Sequence, residues 1–421
     1  MSTRNTRREF PPRPAAPSRA RWAPVAAAMF CCGWGGNQFT PLLIMYKEAG
    51  YSAFTVDALL GAYVIGLIPS LLLAGGLSNR YGRRPVMFLG TGLALLASVM
   101  MAISAHAAHA VAWLAAGRFV AGTAVAVAMA VGSTWVKELT DTDPAGAPDL
   151  GTRRAALWLT LGLGIGPGAA GALAQWGPWP MVLPYLAHVA LCVAVLAFLP
   201  LSRETRTTPP VDGPDSSRAV PARTGGARHP RFRRVIIPMA PWIFGSTGVA
   251  YAIMPEIVSD KLGSWSLAYS TLLTVCTIGA GVGIQPIAKR LDRTTSARAV
   301  VVSMVVMCAG LACSAVAAAL RSPWLALGTA LVLGTAYGIA VVSGLLELQR
   351  LARPGELAQL TGIYYALAYV GFLLPSLLAA LNGVAGYPVL LAALAVLALT
   401  GTLVIVRHSR AHLPLEPALT P

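Results

Sequence analysis

The sequence predicts an all-α membrane protein of twelve transmembrane helices in two pseudo-symmetric six-helix bundles. Three observations carry that prediction. Of its 421 residues 56% are hydrophobic and only 11% charged, with mean hydropathy +0.65, whereas a soluble domain carries roughly 25% charged residues. The apolar residues fall into runs of about 20, the length that crosses a bilayer core. Lysine and arginine gather in the short loops of one side.

The elements follow in order. Residues 1–21 form an arginine- and proline-rich arm whose composition predicts disorder. The first apolar run is too long for a signal-peptide core and no cleavage site follows it, so it reads as a retained helix. Six runs, at 24–46, 57–77, 85–105, 111–136, 155–175 and 181–201, make a first bundle over 22–201. Residues 202–234 are rich in Pro, Arg, Ser, Thr and Gly and read as a flexible linker. Six more runs, at 235–258, 267–287, 299–320, 324–346, 360–381 and 389–406, make a second bundle over 235–407, followed by a tail at 408–421.

Charge placement gives the orientation. Arg80, Arg83, Arg84, Lys137, Arg153, Arg154, Lys289, Arg290, Arg293, Arg298, Arg350 and Arg353 share one side with the arm, the linker and the tail. The other side holds only Lys47, Lys261 and Arg321. The excess of positive charge inside predicts that both termini and the linker are cytoplasmic, in a plasma-membrane protein. The net charge of +16 would by itself allow a nucleic-acid partner. Its distribution along the loops points to the bilayer as the partner instead, and no nucleic acid is expected. Cys31, Cys32, Cys192, Cys276, Cys308 and Cys313 lie inside apolar runs without Cys-x-x-Cys spacing. They read as small apolar fillers, with no metal site and no cofactor.

The two halves resemble each other at an offset near 210 residues. Trp113-Leu114-Ala115-Ala116-Gly117 recurs as Trp324-Leu325-Ala326-Leu327-Gly328, and Gly122-Thr123-Ala124 as Gly334-Thr335-Ala336. Together the matches suggest a duplicated six-helix unit in a parallel repeat.

The turn between the second and third runs reads G-G-L-S-N-R-Y-G-R-R over 75–84. Gly82 supplies the free φ of a tight turn, and Arg80, Arg83 and Arg84 place three charges at one face. With Gly75 opening it, this pattern resembles the loop between the second and third helices of major facilitator superfamily transporters. One position departs: Asn79 stands where the family has an aspartate. The resemblance implies two bundles rocking about a central site, with the first, fourth, seventh and tenth helices lining it. It also implies that the residue at Asn79 lies near a helix start in the other half, latching the cytoplasmic side; an amide predicts a weaker latch. The segment at 198–205, F-L-P-L-S-R-E-T, is similar to the end of the family's first half.

Arg118 is the only lysine or arginine well inside a run, in L-A-A-G-R-F-V-A-G-T. A charge there costs about 2.5–3.5 kcal/mol on insertion scales unless it faces a cavity or a partner. Its context resembles the fourth-helix motif linked to proton coupling. The fifth run carries G-L-G-I-G-P-G-A-A-G over 162–171. Gly162, Gly166 and Ala170 share a face that allows close helix approach, and Pro167 removes a helical hydrogen bond. The motif, closing at Gly171, resembles that of proton-exchanging exporters.

Carboxylates are few. Asp57 is a helix-start acid or a proton carrier, and the first candidate to act with Arg118. Glu256 ends the seventh run on the outer side. Glu138 and Glu347 are expected to pair with Arg153 or Arg350. His188 is expected to pack. Trp34, Asn37, Gln38, Trp242, Tyr251 and Tyr337 are the cavity candidates; with one cation they suit a lipophilic, neutral or anionic organic molecule. Tyr364 and Tyr365 lie on the eleventh run. No nucleotide loop, metal cluster or catalytic triad appears, so no enzyme is predicted and an ion gradient is the expected energy source. The expectation is a monomeric secondary transporter exporting a small drug-like or natural-product molecule against protons. Metabolite import and a non-transporting receptor or scaffold on the same fold are the alternatives.

Overall fold

Helix boundaries follow local chemistry in the computed structural model, which describes residues 22–141, 150–206, 225–352 and 356–411. The predicted arm, the middle of the linker and the end of the tail lie outside the described residues. Helix α1 (Ala23–Asn37) opens with a proline in its first turn, where no amide partner is lost. A short turn separates it from α2 (Leu43–Glu48), so the first predicted run is two helices rather than one. The Ser52 hydroxyl caps α3 (Ala53–Tyr81) by accepting from the Thr55 amide at 3.1 Å. Gly82, at φ 104°, ends that helix and starts α4 (Arg83–Ile103). The left-handed backbone there favours glycine.

The fourth passage runs through α5 (Ala110–Val127), a π-helical turn (Ala128–Gly132) and α6 (Ser133–Asp141). Then come α7 (Leu150–Trp176) and α8 (Leu183–Phe198). The second half opens with α9 (Gly225–Arg228) and a π-helical turn (Phe232–Ile236). It continues through α10 (Ile237–Gly248), a second π-helical turn (Val249–Ile253) and α11 (Met254–Val258). After these come α12 (Ser266–Gly283), α13 (Gln285–Leu291), α14 (Arg298–Leu320), α15 (Pro323–Leu351), α16 (Leu357–Val370) and α17 (Leu374–His408).

Among the described residues, ten segments are long and apolar enough to cross a membrane. The first passage falls short of that length because α1 and α2 are separate. The last segment, Gln359–His408, spans 50 residues and breaks at Gly386, whose φ is 67°. This arrangement is compatible with twelve passages.

The internal repeat has a packing reason. A methyl placed on Gly122 would lie 2.1 Å from the Tyr63 carbonyl oxygen, and one on Gly334 would lie 2.2 Å from that of Thr277. The two glycines let α5 meet α3, and α15 meet α12, backbone to backbone. Both halves therefore use the same glycine at the same helix crossing. Large apolar side chains such as Ile65, Leu73, Leu403 and Val384 face outward, as lipid requires.

The last residues of the predicted linker pack against the second bundle. Arg231 is buried in the second bundle, and its guanidinium grips Glu347 through Nε at 2.7 Å and Nη2 at 2.8 Å. Its Nη1 donates to the Ser409 and Ala411 carbonyls at 3.1 Å each. A bidentate, nearly dry pair with extra acceptors is the favourable form of a buried ion pair. It ties the start of the second half to the tail.

Candidate functional site

A charged cluster joins the two bundles at the end where α2 meets α3. The Lys47 ammonium lies 2.9 Å from Asp57 Oδ1 and 2.5 Å from Glu256 Oε2. It also donates to the Ala252 carbonyl at 3.2 Å. Asp57 is fully buried, with the Lys47 ammonium as its partner. Tyr387 donates its hydroxyl to Glu256 Oε1 at 2.8 Å. Beside this cluster Ser266 donates to Glu48 at 2.5 Å. Gln175 bonds both the Ser264 carbonyl and the Ala268 amide, each at 2.9 Å. These links close the Lys47 end of the protein.

Arg118 sits deeper and is 1% exposed. It donates through Nη1 to the Gly36 carbonyl at 2.9 Å and through Nε to that of Leu59 at 3.5 Å. Its guanidinium lies 4.5 Å from the Tyr63 ring centre and 5.0 Å from that of Phe39. Carbonyl dipoles and two aromatic faces thus hold the cation in place of a carboxylate. The expected partner Asp57 is engaged by Lys47 instead.

Below the charged cluster, rings from both halves meet. Phe244 stacks on Tyr369 at 4.3 Å and leans on Phe372 at 4.8 Å and on Tyr337 at 5.8 Å. Tyr63 of the first half meets Tyr369 at 6.2 Å and Phe372 at 6.3 Å. Tyr251 lies 6.5 Å from Phe372. Of the six cavity candidates, Tyr251 and Tyr337 belong to this cluster. Trp34 lines the α1–α7 crossing with its indole N–H buried and without a partner. Asn37 donates to the Leu163 carbonyl of α7 at 2.8 Å. Two candidates point elsewhere. Gln38 is buried inside the first bundle, donating to Ser98 at 2.8 Å. Trp242 lies toward Gly401 and Met304, within the second bundle. Phe244, two residues after Trp242, occupies the position at the centre that Trp242 was expected to hold. Helical rotation of about 200° separates the two.

The small residues of α7 serve two neighbours. A methyl on Gly162 would lie 2.1 Å from the Phe30 carbonyl oxygen, and one on Gly166 2.7 Å from the Trp34 Cα, both on α1. One on Gly171 would lie 1.9 Å from Thr271 Oγ1, on α12 of the other bundle. Pro167 is buried inside α7.

At the opposite end Gly75 and Asn79 still lie within α3, the turn is confined to Gly82, and the side chains around it are bound by their own bundle. Asn79 Oδ1 accepts from Arg83 at 2.6 Å, and Ser78 accepts from the same Nη1 at 2.8 Å. Arg83 also pairs with Glu138 at 3.0 Å, to which Thr205 donates its hydroxyl. Arg80 lends its carbonyl to Arg206 and lies 5.3 Å from the Tyr81 ring centre. Glu138 therefore pairs with Arg83 rather than Arg153, while Glu347 keeps the expected Arg350 as a neighbour and gains Arg231 as its closer partner. Arg350 is a weaker neighbour of Glu347, at 3.5 Å, and bonds mainly to Asp292. Charges distant in sequence but on adjacent helix ends outcompete the nearby ones.

Glu204, just past α8, was not singled out by sequence. It accepts from the amides of Arg83 at 2.9 Å and Arg84 at 2.8 Å, the first amides of α4. The amides of Thr205 and Arg206 reach it at 3.1 Å each. A carboxylate at a helix N-terminus is stabilised by free amides and the helix dipole. Partial burial pushes the carboxyl pKa up, but the four amides outweigh it and hold the value below the usual range. A depressed carboxylate stabilises the fold above its unfolded pKa and loses that contribution as pH falls through the folded one. Glu204→Gln should therefore lower thermal stability by about 0.3–1 kcal/mol near neutral pH. Variant and wild type should converge as the medium is acidified below the carboxylate range, in unfolding scans. A gap that persists in acid would assign the effect to packing.

The sequence matches the family model described as Major Facilitator Superfamily over residues 25–374. No curated protein matches it. Among solved structures it is similar to a POT family transporter in complex with 5-aminolevulinic acid, with a TM-score of 0.75 and 11% identity over 93% of this chain and 96% of that one. It is similar to the nucleoside transporter NupG, with a TM-score of 0.71 and 11% identity over 92% and 98% of the two chains. It also resembles a peptide transporter POT in complex with sulfate, with a TM-score of 0.71 and 13% identity over 93% and 95%. At such identities the likeness shows the fold alone. Because the match runs through both repeated halves, this multi-pass membrane chain belongs to the major facilitator superfamily, as a secondary transporter.

Proposed function

We propose that the chain is a monomeric, proton-coupled exporter of a small organic molecule in the plasma membrane, with both termini and the linker cytoplasmic. The observation that carries the coupling is the Lys47–Asp57–Glu256 cluster, fully buried at Asp57 and partly open at Glu256. Two carboxylates face one ammonium, and a buried uncompensated charge is costly. The closed cluster is neutral when one carboxyl keeps a proton. Closing the outer end therefore favours taking one proton from outside. Asp57, fully buried, is the carboxyl we assign to it. Arg118 acts as a fixed positive centre near the ring cluster, since arginine does not deprotonate.

The rings of Tyr63, Phe244, Tyr337 and Tyr369 offer stacking surface, and Arg118 offers one cation. That chemistry suits a lipophilic neutral or anionic compound. Export is supported by the resemblance of the motif from Gly162 to Gly171 to that of proton-exchanging transporters. The basic loops support the cytoplasmic assignment.

The test is transport in proteoliposomes with an imposed pH gradient and a panel of lipophilic neutral and anionic compounds. Compound should move against the direction of proton flow. Asp57→Asn should abolish the dependence on the gradient, with binding of the compound retained. Movement in the same direction as protons would make the protein an importer. Rates indifferent to the gradient in wild type would refute coupling.

A further inference from the structure

Three metal-ligating side chains converge inside the first bundle, where α1 meets α8. The sulfurs of Cys31 and Cys192 lie 3.1 Å apart. His188, one helical turn before Cys192, places Nε2 3.6 Å from each sulfur. All three residues are 0% exposed. Around a tetrahedral ion, ligands at about 2.3 Å for sulfur and about 2.0–2.1 Å for nitrogen stand about 3.6 Å apart from N to S and about 3.7 Å from S to S. Nε2 has that separation from both thiols, but Cys192 Sγ lies equally near Nδ1, at 3.7 Å, so it stands over the ring and must move toward the Nε2 side to share an ion. The sulfurs need to part by about 0.6 Å.

The imidazole is also held from behind. Its Nδ1 lies 2.7 Å from Ser98 Oγ, which accepts from Gln38 Nε2 at 2.8 Å. Metal-bound histidines are commonly fixed by such a bond from the other ring nitrogen. A methyl on Gly35 would lie 2.6 Å from His188 Cε1, so the glycine makes room for the ring. Nε2 also lies 2.9 Å from the Cys31 carbonyl oxygen. The ring can therefore carry its proton on Nε2, toward that carbonyl, or on Nδ1, toward Ser98. Only the second form leaves Nε2 free as a ligand.

We propose that Cys31, Cys192 and His188 form a binding site for a divalent ion of the zinc class, which staples α1 to α8. Charge selects the class. Two thiolates and a neutral imidazole cancel a double positive charge, whereas a monovalent soft ion would leave a net negative charge in a dry core. Binding releases the two thiol protons and fixes the imidazole proton on Nδ1. The site shares no residue with the Lys47 cluster, so its test is independent of the transport reading.

The full chain is expressed with added zinc, purified in detergent, and its metal content measured. One zinc per chain is expected. Cys192→Ser and His188→Asn should lose it, and Cys32→Ser, a buried cysteine outside the trio, should keep it. Ser98→Ala should weaken binding by about 10-fold. Cobalt loading of the wild type needs no variant and should show sulfur-to-metal charge-transfer absorption. Three results would overturn the proposal: wild type without zinc or cobalt signal, zinc retained by Cys192→Ser, or a metal-free chain whose peptide map shows a Cys31–Cys192 disulfide.

Discussion

Arg118→Ala should abolish gradient-driven transport while the protein still inserts and folds. The guanidinium is buried and donates to two backbone carbonyls on different helices, Gly36 just inside α1 and Leu59 on α3. It also sits against the faces of Phe39 and Tyr63. Removing it deprives the Gly36 and Leu59 carbonyls of a shared donor and takes a fixed cation from beside the aromatic centre. A hydrogen bond to a charged group contributes about 1.5–3 kcal/mol to stability, so the substitution also loosens the α1–α3 contact, while the loss of the cation removes gradient-driven transport. Arg118→Lys should restore only part of it. An ammonium keeps the charge but loses the planar fork that reaches two carbonyls at once. Proteoliposome transport under a pH gradient reads the effect, and size-exclusion profiles check folding. Wild-type rates from the alanine variant would reduce Arg118 to a packing residue.

Gly162→Leu and Gly166→Leu should likewise eliminate transport, through geometry rather than charge. Even the first carbon of a side chain at Gly162 would lie 2.1 Å from a carbonyl oxygen of α1, far inside van der Waals contact. Only displacement of α1 relieves that, and overpacking of this kind costs about 1–3 kcal/mol or more. Trp34 and Asn37 sit on the displaced helix, which is also tied to α7 by the bond from Asn37 to Leu163. Gly92→Leu on α4, where nothing lies within 4 Å of the added methyl, is the control and should transport normally. Gly171→Leu tests the other neighbour, since it wedges α7 away from α12 across the bundle interface. Spin-label distances across the Lys47 end should lengthen in that variant and stay unchanged in Gly162→Leu. Full activity in Gly162→Leu would show that the α1–α7 crossing is loose.

The sequence alone determined the class of the molecule, most of its passages, and the turn at Gly82. It also carried the repeat that places Gly122 and Gly334 at equivalent crossings. Each of these is written locally, in run length, in a glycine where the chain must bend or approach, or in a charge at a loop. Only the tertiary structure decided which residues meet. It gave Asp57 to Lys47, which also holds Glu256, rather than to Arg118, and Glu138 to Arg83 rather than to Arg153. It turned Gln38 and Trp242 into their own bundles and brought Phe244 to the centre. It placed Glu204 under the start of α4, more than a hundred residues away in the chain, and drew Cys31, His188 and Cys192 together.

The physical reason is the solvent. In water, a helix shows its buried face by where its apolar residues fall. In lipid, the outward face is as apolar as the inward one, so periodicity no longer tells them apart. What remains legible is length, small residues and rare charges. The partner of each charge is set by long-range helix packing, which no local pattern encodes.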